Sequence, residues 1–472
     1  MTKERNNAAW RVSDLDPAKP IHLAGVAGSA MNGLALLLRQ RGFRVVGTDP
    51  RADLFRESLE AAGVVVHTEQ DGSTVRPDTS LVVASAALPT DHPELAAATS
   101  QGIATVTYAE FLGALMAEAD GVAVAGTHGK TTTTAMVVAI LRSAGLSVSF
   151  VVGGIIPGLG TGAQSGSSNI FVAEACEYNR SFLHLTPRIA VVTNIEEDHL
   201  DIYANIEEIA DAFRAFASNL PESGILIHSV HCCNTAHILA DICCSKISFG
   251  IETEADFTAE SIRVEGGKTV FDLVCEGERF EGIRLPTPGR HNVANALAAA
   301  AVCRNLGVSF DSIIAALAGF EGVNRRFEIR GEAGGVTVVD DYAHHPTEIR
   351  ALLQGASTRF PGRRLVVVFQ PHQCSRTRLF LKELADSLSA ADLVFVPDIY
   401  AARDSEEEKA RTSSKDLVKQ IAAKGTIAEY PGALDSVVER VVKVLEPEDV
   451  LLTVGAGDVD QIIDDLLKRL SS

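Results

Sequence analysis

The sequence has too little positive charge for a nucleic-acid-binding protein, and it has no apolar run long enough to span a membrane. It contains 42 lysine and arginine residues against 61 aspartate and glutamate residues, which gives a formal net charge of −19. A nucleic-acid-binding surface needs a basic stripe, so this balance argues against one. The apolar runs are short and interrupted, and residues 1–20 are polar without a signal-like apolar stretch. We therefore expect no membrane insertion and a cytoplasmic protein.

The eight cysteines lack the spacing of a zinc site, and without a secretory signal we expect reduced thiols. Four of them share residues 228–244 with three histidines, but they come as adjacent pairs and no C-x-x-C spacing occurs. We expect no bound zinc and interpret this segment as a surface helix and turn. Its members are His228, His231, Cys232, Cys233, His237, Cys243 and Cys244.

What the chain does contain is a repeated alternation of short apolar strands and helices. A length of 472 residues predicts three domains of about 150 residues each. The alternation predicts doubly wound parallel sheets. The expected fold class is α/β with three domains: a Rossmann-like N-terminal domain at 1–118, a P-loop-type central ATPase domain at 119–325 and a Rossmann-like C-terminal domain at 326–472.

The strongest local signal is the segment Gly126-Thr-His-Gly-Lys-Thr131, which lies between an apolar strand and a long helix. Backbone N–H groups of such a loop, together with the helix N-terminus, bind phosphate oxygens. Lys130 would neutralise phosphate charge, and the Thr131 hydroxyl would ligate magnesium. Val124 occupies the first glycine position of the full P-loop pattern, so this is a shorter variant.

Polar side chains follow other predicted strands, on the side where an open parallel sheet binds ligands. Glu174 follows the strand at 170–173 and is a candidate magnesium ligand. His199 is either a less usual ligand or a residue that contacts substrate or stabilises its loop. Two further strands in the C-terminal region are followed by Asp340-Asp-Tyr-Ala-His-His-Pro346 and Gln370-Pro-His-Gln-Cys-Ser-Arg-Thr-Arg378. Their histidines and arginines are suited to binding a carboxylate or phosphate.

Together these motifs resemble the Mur ligases, the ATP-dependent amide-forming enzymes that build the peptide of bacterial cell-wall precursors. The resemblance covers residues 21–458, and the ordered set of motifs is far more specific than any one of them. The remaining motifs of that set are Thr193-Asn-Ile-Glu-Glu-Asp-His199, Pro288-Gly-Arg-His-Asn292, Arg325-Arg-Phe327, Phe369-Gln-Pro-His372, Ser375-Arg-Thr377 and Gly455-Ala-Gly-Asp458.

The resemblance implies a role for each domain: UDP-sugar binding, ATP and Mg2+ binding, and amino-acid binding with part of the ATP site. It implies UDP-sugar contacts from Gly25, Gly28, Ser29, Asp49, His67 and Ser85. ATP contacts are implied for Gly126, Thr127, His128, Gly129, Lys130, Thr131, Thr132, Asn292, Arg326 and Asp341, with Asn292 at the adenine. The implied metal ligands are Thr131, Glu174 and His199. Tyr342, His345 and Arg376 are implied near the amino acid and the activated carboxylate. The implied catalytic residues are Lys130, Glu174, His199, His344 and Arg376.

The implied substrates are UDP-N-acetylmuramate and L-alanine, and we expect a monomer or weak homodimer. Sister branches use a modified lysine after the middle histidine motif, but residues 204–224 contain no lysine, in agreement with the alanine-adding branch. Two features depart from the family pattern. Ala27 and Ala30 stand where glycines are expected, and the segment 174–180 differs from many relatives, which puts the Tyr178 and Arg180 contacts in doubt.

Other functions fit the sequence less well. The Gly25, Gly28 and Asp49 pattern is also compatible with a nicotinamide-dependent oxidoreductase, but this pattern needs a further glycine at 27 or 30 and leaves the phosphate loop unexplained. A regulator that hydrolyses ATP without ligation is a second alternative. Within the ligases, the alternative is a relative that attaches a recycled tripeptide to the same UDP-sugar.

We expect a carboxylate to attack the γ-phosphate, and an amine deprotonated near His344 or His345 to attack the resulting acyl phosphate.

Overall fold

The computed structural model describes residues 11–239, 242–402 and 404–471. Residues 1–10 of the polar N-terminal segment lie outside the described residues. The chain forms two compact units. Unit 1 comprises residues 1–250, 255–257 and 298–316, and unit 2 comprises 251–254, 258–297 and 317–472.

The chain alternates strands and helices along most of its length. The strands are β1 Pro20–Ala24, β2 Arg44–Thr48, β3 Val65–His67, β4 Leu81–Ala84, β5 Thr105–Thr107, β6 Asp120–Ala125, β7 Ser149–Ile156, β8 Thr161–Gln164, β9 Ile170–Glu174, β10 Ile189–Val192, β11 Ile225–Ser229, β12 Ser245–Ile251, β13 Phe257–Glu265, β14 Lys268–Cys275, β15 Glu278–Leu285, β16 Glu328–Ala333, β17 Val336–Asp341, β18 Leu365–Phe369, β19 Leu393–Phe395, β20 Ile427–Glu429 and β21 Val450–Val454. The helices are α1 Ser29–Gln40, α2 Arg56–Ala61, α3 Pro93–Ser100, α4 Tyr108–Ala117, α5 Lys130–Ser143, α6 Ile206–Ala217, α7 Thr235–Leu239, α8 Arg290–Asn305, α9 Phe310–Ala318, α10 Pro346–Arg359, α11 Cys374–Leu379, α12 Leu381–Leu388, α13 Glu406–Arg411, α14 Ser414–Ala423, α15 Asp435–Val442 and α16 Ile463–Leu470. Short 3₁₀ segments occupy Val12–Asp14, Ala52–Leu54, Pro157–Leu159, Tyr178–His184 and Val459–Ile462.

The first sheet of unit 1 is parallel, in the order β3-β2-β1-β4-β5. Ala24 pairs with both Thr48 and Ala84, so β1, β2 and β4 end at one level. Every residue of β1 and β4 is buried, because helices cover both faces of such a sheet. This is the Rossmann-like arrangement that the sequence predicts, and it places the loops after these strands side by side.

The second sheet of unit 1 runs in the order β12-β11-β10-β6-β9-β7-β8. Strand β6 lies between β10 and β9 and is parallel to both. Ala125 pairs with Val192, and Val124 pairs with Glu174. The phosphate-loop segment after β6 therefore emerges beside Glu174 and the segment that follows β10.

Unit 2 contains strands in the order β15-β14-β13 and a six-stranded sheet in the order β16-β17-β21-β18-β19-β20. The six-stranded sheet is parallel except for β16, and Val454 pairs with both Asp341 and Phe369. The two polar motifs after β17 and β18 thus emerge at the same edge. The strands at 257–285, of which β14 and β15 pair antiparallel, were not predicted, because charged residues interrupt the apolar positions in each of them.

The interpretation of residues 228–244 as a surface helix and turn is wrong in part. Helix α7 is a short surface helix, but His228 belongs to β11 and Cys244 directly precedes β12, and both side chains are buried. The reason is that β11 is an internal strand, paired with β10 and β12.

None of the helices in the described part of the chain is long and apolar enough to cross a lipid bilayer.

Candidate active site

The phosphate-loop segment of unit 1 depends on glycine at two positions. Gly126 has φ 141°, and a Cβ atom there would lie 1.8 Å from Thr193 Oγ1. Gly129 has φ 83° and immediately precedes α5, whose first residue is Lys130. Only glycine adopts such a left-handed backbone at little cost. The loop therefore ends with Lys130 and Thr131 in the first turn of a helix, where N–H groups point outward and bind anions.

The segment that follows β10 holds this loop in place. The backbone N–H of His128 donates to Asn194 Oδ1 at 2.8 Å, and Thr193 Oγ1 donates to the His128 carbonyl at 2.6 Å. The Glu196 N–H donates to Thr127 Oγ1 at 2.9 Å. The first residues of the predicted motif at 193–199 thus fix the conformation of the predicted phosphate loop.

Lys130 is folded back onto its own loop. Its Nζ donates to the carbonyl oxygens of Gly126 and Thr127 and to Glu177 Oε1, the last at 3.0 Å. The Lys130 side chain is 15% exposed and that of Glu177 is 3% exposed, so this is a buried ion pair. Burial lowers the pKa of Lys130, but the carboxylates of Glu177 and Glu174 outweigh this effect and raise it. Lys130 is therefore a fixed positive charge at the loop.

Thr131 and Glu174 form a pair of oxygen ligands beside Lys130. Thr131 Oγ1 donates to Glu174 Oε1 at 2.8 Å, and Glu174 Oε2 accepts from the Gly153 N–H. Hydroxyl and carboxylate oxygens are the ligands that Mg2+ prefers. The residues present at this position therefore fit a magnesium ion.

His199 is held in a strained backbone conformation in the loop after β10. It has φ 54°, uncommon for a residue other than glycine. Its Nε2 lies 3.7 Å from Glu177 Oε1, and its ring meets the edge of Tyr178 at 5.0 Å between centroids. Strain of this kind clusters at functional sites.

Sequence reasoning missed Glu177, which connects Lys130 with His199. The signal was a second glutamate within the motif that begins at Glu174, and its function is evident only from the ion pair. The same motif continues through Arg180, whose guanidinium pairs with Glu208 at 2.5 Å and lies over the Tyr203 ring. Asn179 and Arg180 also have positive φ angles, of 51° and 55°.

The candidate UDP-sugar residues lie together at the ends of β1 to β4. Gly25 has φ 89° and its N–H donates to the Thr48 carbonyl at 2.8 Å, and a Cβ there would lie 2.8 Å from Ser85 Cβ. The Ala27 N–H donates to Asp49 Oδ2 at 3.2 Å, and the Asp49 N–H donates to the His67 carbonyl at 3.1 Å. Gly28 precedes α1, whose first residue is Ser29.

The departure from the glycine pattern causes no backbone strain. Ala27 and Ala30 both belong to the described residues, and neither has a left-handed backbone. Ala27 is buried and contributes only its N–H to Asp49, while Ala30 is exposed in the first turn of α1. Alanine is therefore compatible with the loop at both positions.

In unit 2, the paired aspartates at the end of β17 organise the segment around Arg326. Asp341 accepts hydrogen bonds from the N–H groups of Phe327 and Ala343, both at 2.7 Å. Burial raises the pKa of Asp341 to about 6. Arg325 donates to Asp340 Oδ2 and to the Gly455 and Gly457 carbonyls, and is thus structural. The Arg326 guanidinium lies 5.1 Å from the Tyr342 ring centroid.

The two adjacent histidines after β17 have different surroundings. His344 Nδ1 lies 3.1 Å from the Tyr342 carbonyl, which can only accept, so Nδ1 carries a proton and a neutral ring keeps its lone pair on Nε2. His345 instead caps α10: its Nδ1 accepts from the Thr347 N–H at 3.3 Å. His344 is therefore better suited to accept a proton, and a substrate contact for His345 stays a prediction.

The motif after β18 separates its two arginines. Arg376 is buried in α11, and its Nη1 lies 3.2 Å from His372 Nδ1. Arg378 is directed to the surface and pairs with Glu408 at 3.1 Å. The His372 and His344 rings meet at 6.2 Å between centroids. The motifs after β17 and β18 thus form one cluster, to which Arg378 does not belong.

Asn292 in α8 is buried and fixed by its neighbours. Its Nδ2 donates to the Pro288 carbonyl at 2.7 Å, and its Oδ1 accepts from Asn295 Nδ2 at 3.2 Å. Sequence reasoning missed Asn295, although a second asparagine one turn after the first on a helix was a visible signal. The adenine contact of Asn292 stays a prediction.

Three family models match the chain in succession. The model described as "Mur ligase family, catalytic domain" matches residues 20–120, "Mur ligase middle domain" matches 124–303, and "Mur ligase, glutamate ligase domain" matches 325–457. The predicted three-domain α/β fold is confirmed, while the boundaries at 118/119 and 325/326 stay predictions.

Curated relatives and solved structures match over nearly the whole chain. The UDP-N-acetylmuramate–L-alanine ligase of Lachnospira eligens is 41% identical and that of Agathobacter rectalis 40% identical. The alignments cover 95% and 96% of this chain and 98% and 99% of the relatives. The structure of the UDP-N-acetylmuramate–alanine ligase from Thermotoga maritima has a TM-score of 0.80 at 27% identity, and that of a murein peptide ligase from Psychrobacter arcticus has 0.73 at 26% identity. Each covers 96% of this chain and 99% of the other.

Proposed function

The chain belongs to the Mur ligase family, and we propose that it joins UDP-N-acetylmuramate to L-alanine, with conversion of ATP to ADP and phosphate. The observation that carries this assignment is the identity of 40–41% to curated enzymes of that activity over nearly the full length of both chains. The enzyme is a ligase of peptidoglycan precursor synthesis. We place the reaction in the cytoplasm, where ATP is available, and propose a monomer or weak homodimer.

The phosphate chemistry is assigned to unit 1. Lys130 would leave its loop carbonyls and bind the γ-phosphate, where it offsets the charge that develops during transfer. Thr131, Glu174 and His199 would hold magnesium, which supplies further positive charge at the phosphates. Thr127, His128 and Thr132 belong to the same loop and helix start and would contact ATP.

The reaction proceeds in two displacements. An oxygen of the UDP-N-acetylmuramate lactyl carboxylate forms a bond to the γ-phosphorus, and the bond from that phosphorus to the bridging oxygen of ADP breaks. The amino nitrogen of L-alanine then forms a bond to the acyl carbon, and the bond from that carbon to the phosphate oxygen breaks. The nitrogen also loses a proton, so the products are the amide, ADP, phosphate and a proton.

Unit 2 supplies groups for the amine and for the nucleotide. His344 is the proposed proton acceptor, because its Nδ1–H is directed to the Tyr342 carbonyl and its basic nitrogen is Nε2. Arg376 would bind a carboxylate, and Tyr342 would contact the methyl side chain of L-alanine. Arg326, Asp341 and Asn292 are proposed to contact ATP.

The alternative is a murein peptide ligase, which would attach a tripeptide to the same UDP-sugar. The segments at 181–185 and 369–377 resemble those of the alanine-adding branch, which favours a single small amino acid. Product formation should be measured with UDP-N-acetylmuramate, ATP and each amine in turn. We expect L-alanine to react fastest. Glycine and L-serine should react roughly ten- to two-hundredfold less efficiently, because apolar pockets discriminate poorly between small side chains. Faster coupling of L-alanyl-γ-D-glutamyl-diaminopimelate than of L-alanine would overturn the assignment.

A further inference from the structure

The ring of Tyr400 packs against the imidazole of His372 in unit 2. The two rings lie 5.7 Å apart between centroids and are nearly parallel, with an interplanar angle of 16°. Their backbones also pair: the Tyr400 N–H donates to the Pro371 carbonyl and the Gln373 N–H donates to the Tyr400 carbonyl, both at 2.9 Å. Gln373 has φ 70°, so the chain turns sharply directly after His372. The loop after β19 therefore holds the loop after β18 by main chain and side chain together.

The loop after β19 also fixes the helix that carries Arg376. Asp404 accepts hydrogen bonds from the Cys374 N–H at 2.5 Å and from Ser375 Oγ at 3.0 Å, at the start of α11. Tyr400 thus contacts His372, and Asp404 fixes the first residues of the helix that carries Arg376. No motif in the sequence signals this loop, because both of its contacts are to residues distant along the chain.

Gly457 leaves the space that the Tyr400 ring occupies. A Cβ atom at this position would lie 2.8 Å from Tyr400 Cγ and 2.9 Å from Tyr400 Cβ. It would also lie 2.4 Å from Gln370 Oε1. Contacts this short require the ring or the loop to move. The second glycine of the Gly455-Ala-Gly-Asp458 motif is therefore explained by the side chains of Gln370 and Tyr400, which both pack against it.

The orientation of the His372 ring has a chemical consequence. Arginine has no acceptor, so the 3.2 Å contact makes His372 Nδ1 an acceptor for the Arg376 guanidinium. A neutral imidazole has a single in-plane lone pair, and here the lone pair on Nδ1 is engaged by Arg376, so His372 is not a base for the amine in this arrangement. Rotation of the ring about the Cβ–Cγ bond would break this contact, so the hydrogen bond from Arg376 to His372 depends on what fixes the plane of the ring.

We propose that Tyr400 is a positioning residue for the amine substrate: its ring holds His372 in the plane that directs Nδ1 to Arg376, the group proposed to bind the carboxylate of the amino acid. The proposal rests on the proposed function only in placing the amine at the motifs after β17 and β18. Tyr400 itself touches no reacting atom. Its loss should therefore weaken binding of the amine without weakening binding of ATP or the UDP-sugar.

The test is a steady-state comparison of Tyr400→Leu, Tyr400→Phe and Gly457→Ala, with KM determined separately for the three substrates. Tyr400→Leu should raise the KM for L-alanine roughly three- to tenfold, the range expected for one lost aromatic pair, and leave the other two KM values unchanged. Tyr400→Phe keeps the ring and should restore the wild-type KM. Tyr430→Leu is the control for a general loosening of the loop after β19, since the Tyr430 hydroxyl donates to Asp398 in that loop at 2.5 Å, and it should raise the L-alanine KM less than Tyr400→Leu does.

Gly457→Ala should raise the L-alanine KM by displacing the ring, and should add less to that KM in the Tyr400→Leu background than in the wild type. If Tyr400→Leu fails to fold, Gly457→Ala is compared in a Gln370→Ala background, where its shortest contact is removed and the contact with Tyr400 remains. The proposal is overturned if the L-alanine KM is unchanged in these variants, if all three KM values rise together, or if Tyr430→Leu has the same effect. If the wild type couples another amine instead, the proposed function fails, and the same variants measured with that amine still test the role of Tyr400.

Discussion

The buried ion pair between Lys130 and Glu177 allows the contribution of Lys130 to stability to be measured separately from its contribution to catalysis. Lys130→Ala removes the charge proposed to bind the γ-phosphate. The same substitution of a lysine on the surface would leave the fold intact. Here the partner carboxylate is only 3% exposed and its Oε1 lies 3.0 Å from Lys130 Nζ. Removing one member of a buried pair leaves an uncompensated charge and costs about 3–5 kcal/mol. We therefore expect Lys130→Ala to be both inactive and clearly less stable.

The double variant Lys130→Ala/Glu177→Gln removes the stranded charge. The Tyr203 hydroxyl donates to the backbone carbonyl of Glu177, so this contact survives the substitution. We expect most of the lost stability to return, while amide formation stays at least about a hundredfold below wild type, because the transition-state contact is still missing. Glu177→Gln alone serves as the control for the second substitution.

The assay combines thermal unfolding followed by fluorescence with phosphate release in the presence of L-alanine and UDP-N-acetylmuramate. Three results would refute the reasoning. A Lys130→Ala protein as stable as wild type would mean that the ion pair does not stabilise the loop. A double variant no more stable than Lys130→Ala would mean that the stranded charge is not the cause. Near-normal turnover by either variant would remove Lys130 from the phosphate chemistry.

Three further measurements follow from the described geometry. Glu174→Gln should raise the magnesium concentration needed for activity and lower the rate, because the proposed ligand loses its charge; an unchanged magnesium titration would leave Glu174 a structural role. Burial raises the pKa of Asp341 from 3.8 to about 6, so protonation of this carboxyl stabilises the fold. That stabilisation, about 3 kcal/mol, is complete below about pH 4 and is lost as the pH rises through 6. The Tm advantage of wild type over Asp341→Asn should therefore shrink between pH 4 and pH 7, and a constant difference would contradict the assignment. Elemental analysis should find no stoichiometric zinc, and one zinc per chain that is lost when Cys232 and Cys233 become serine would refute the expectation for residues 228–244.

Several residues beside the candidate site groups have a strained backbone. His199 and Gln373 have left-handed φ angles beside proposed binding groups, and so do Arg325 and Phe327 beside Arg326. Such conformations cost of order 1–3 kcal/mol each and persist only where surrounding contacts enforce them. At Phe327 the enforcing contact is the hydrogen bond that the Phe327 N–H donates to the Asp341 carboxylate. This links the proposed nucleotide contacts of unit 2 to the paired aspartates.

The sequence by itself determined the parts of this protein that are encoded locally. A phosphate loop needs glycines at fixed offsets from a lysine and a threonine, and all of these residues lie within Gly126–Thr131. Strand ends were found in the same way, because apolar runs are local and ligand-binding side chains follow directly after them. Glu174, His199 and the motif at 340–346 were identified on that basis, and the resemblance to the Mur ligases followed from their order.

Only the tertiary structure decided which of these segments are neighbours. Strands in parallel sheets are joined by long crossover connections, so neither their order nor their register is fixed by any local pattern. The partnership of Glu177 with Lys130, and that of Tyr400 with His372, each join loops from different strands of one sheet. The burial of His228 likewise depends on β10 and β12 flanking β11. These features were invisible in the sequence because they arise from the pairing of strands that are distant along the chain.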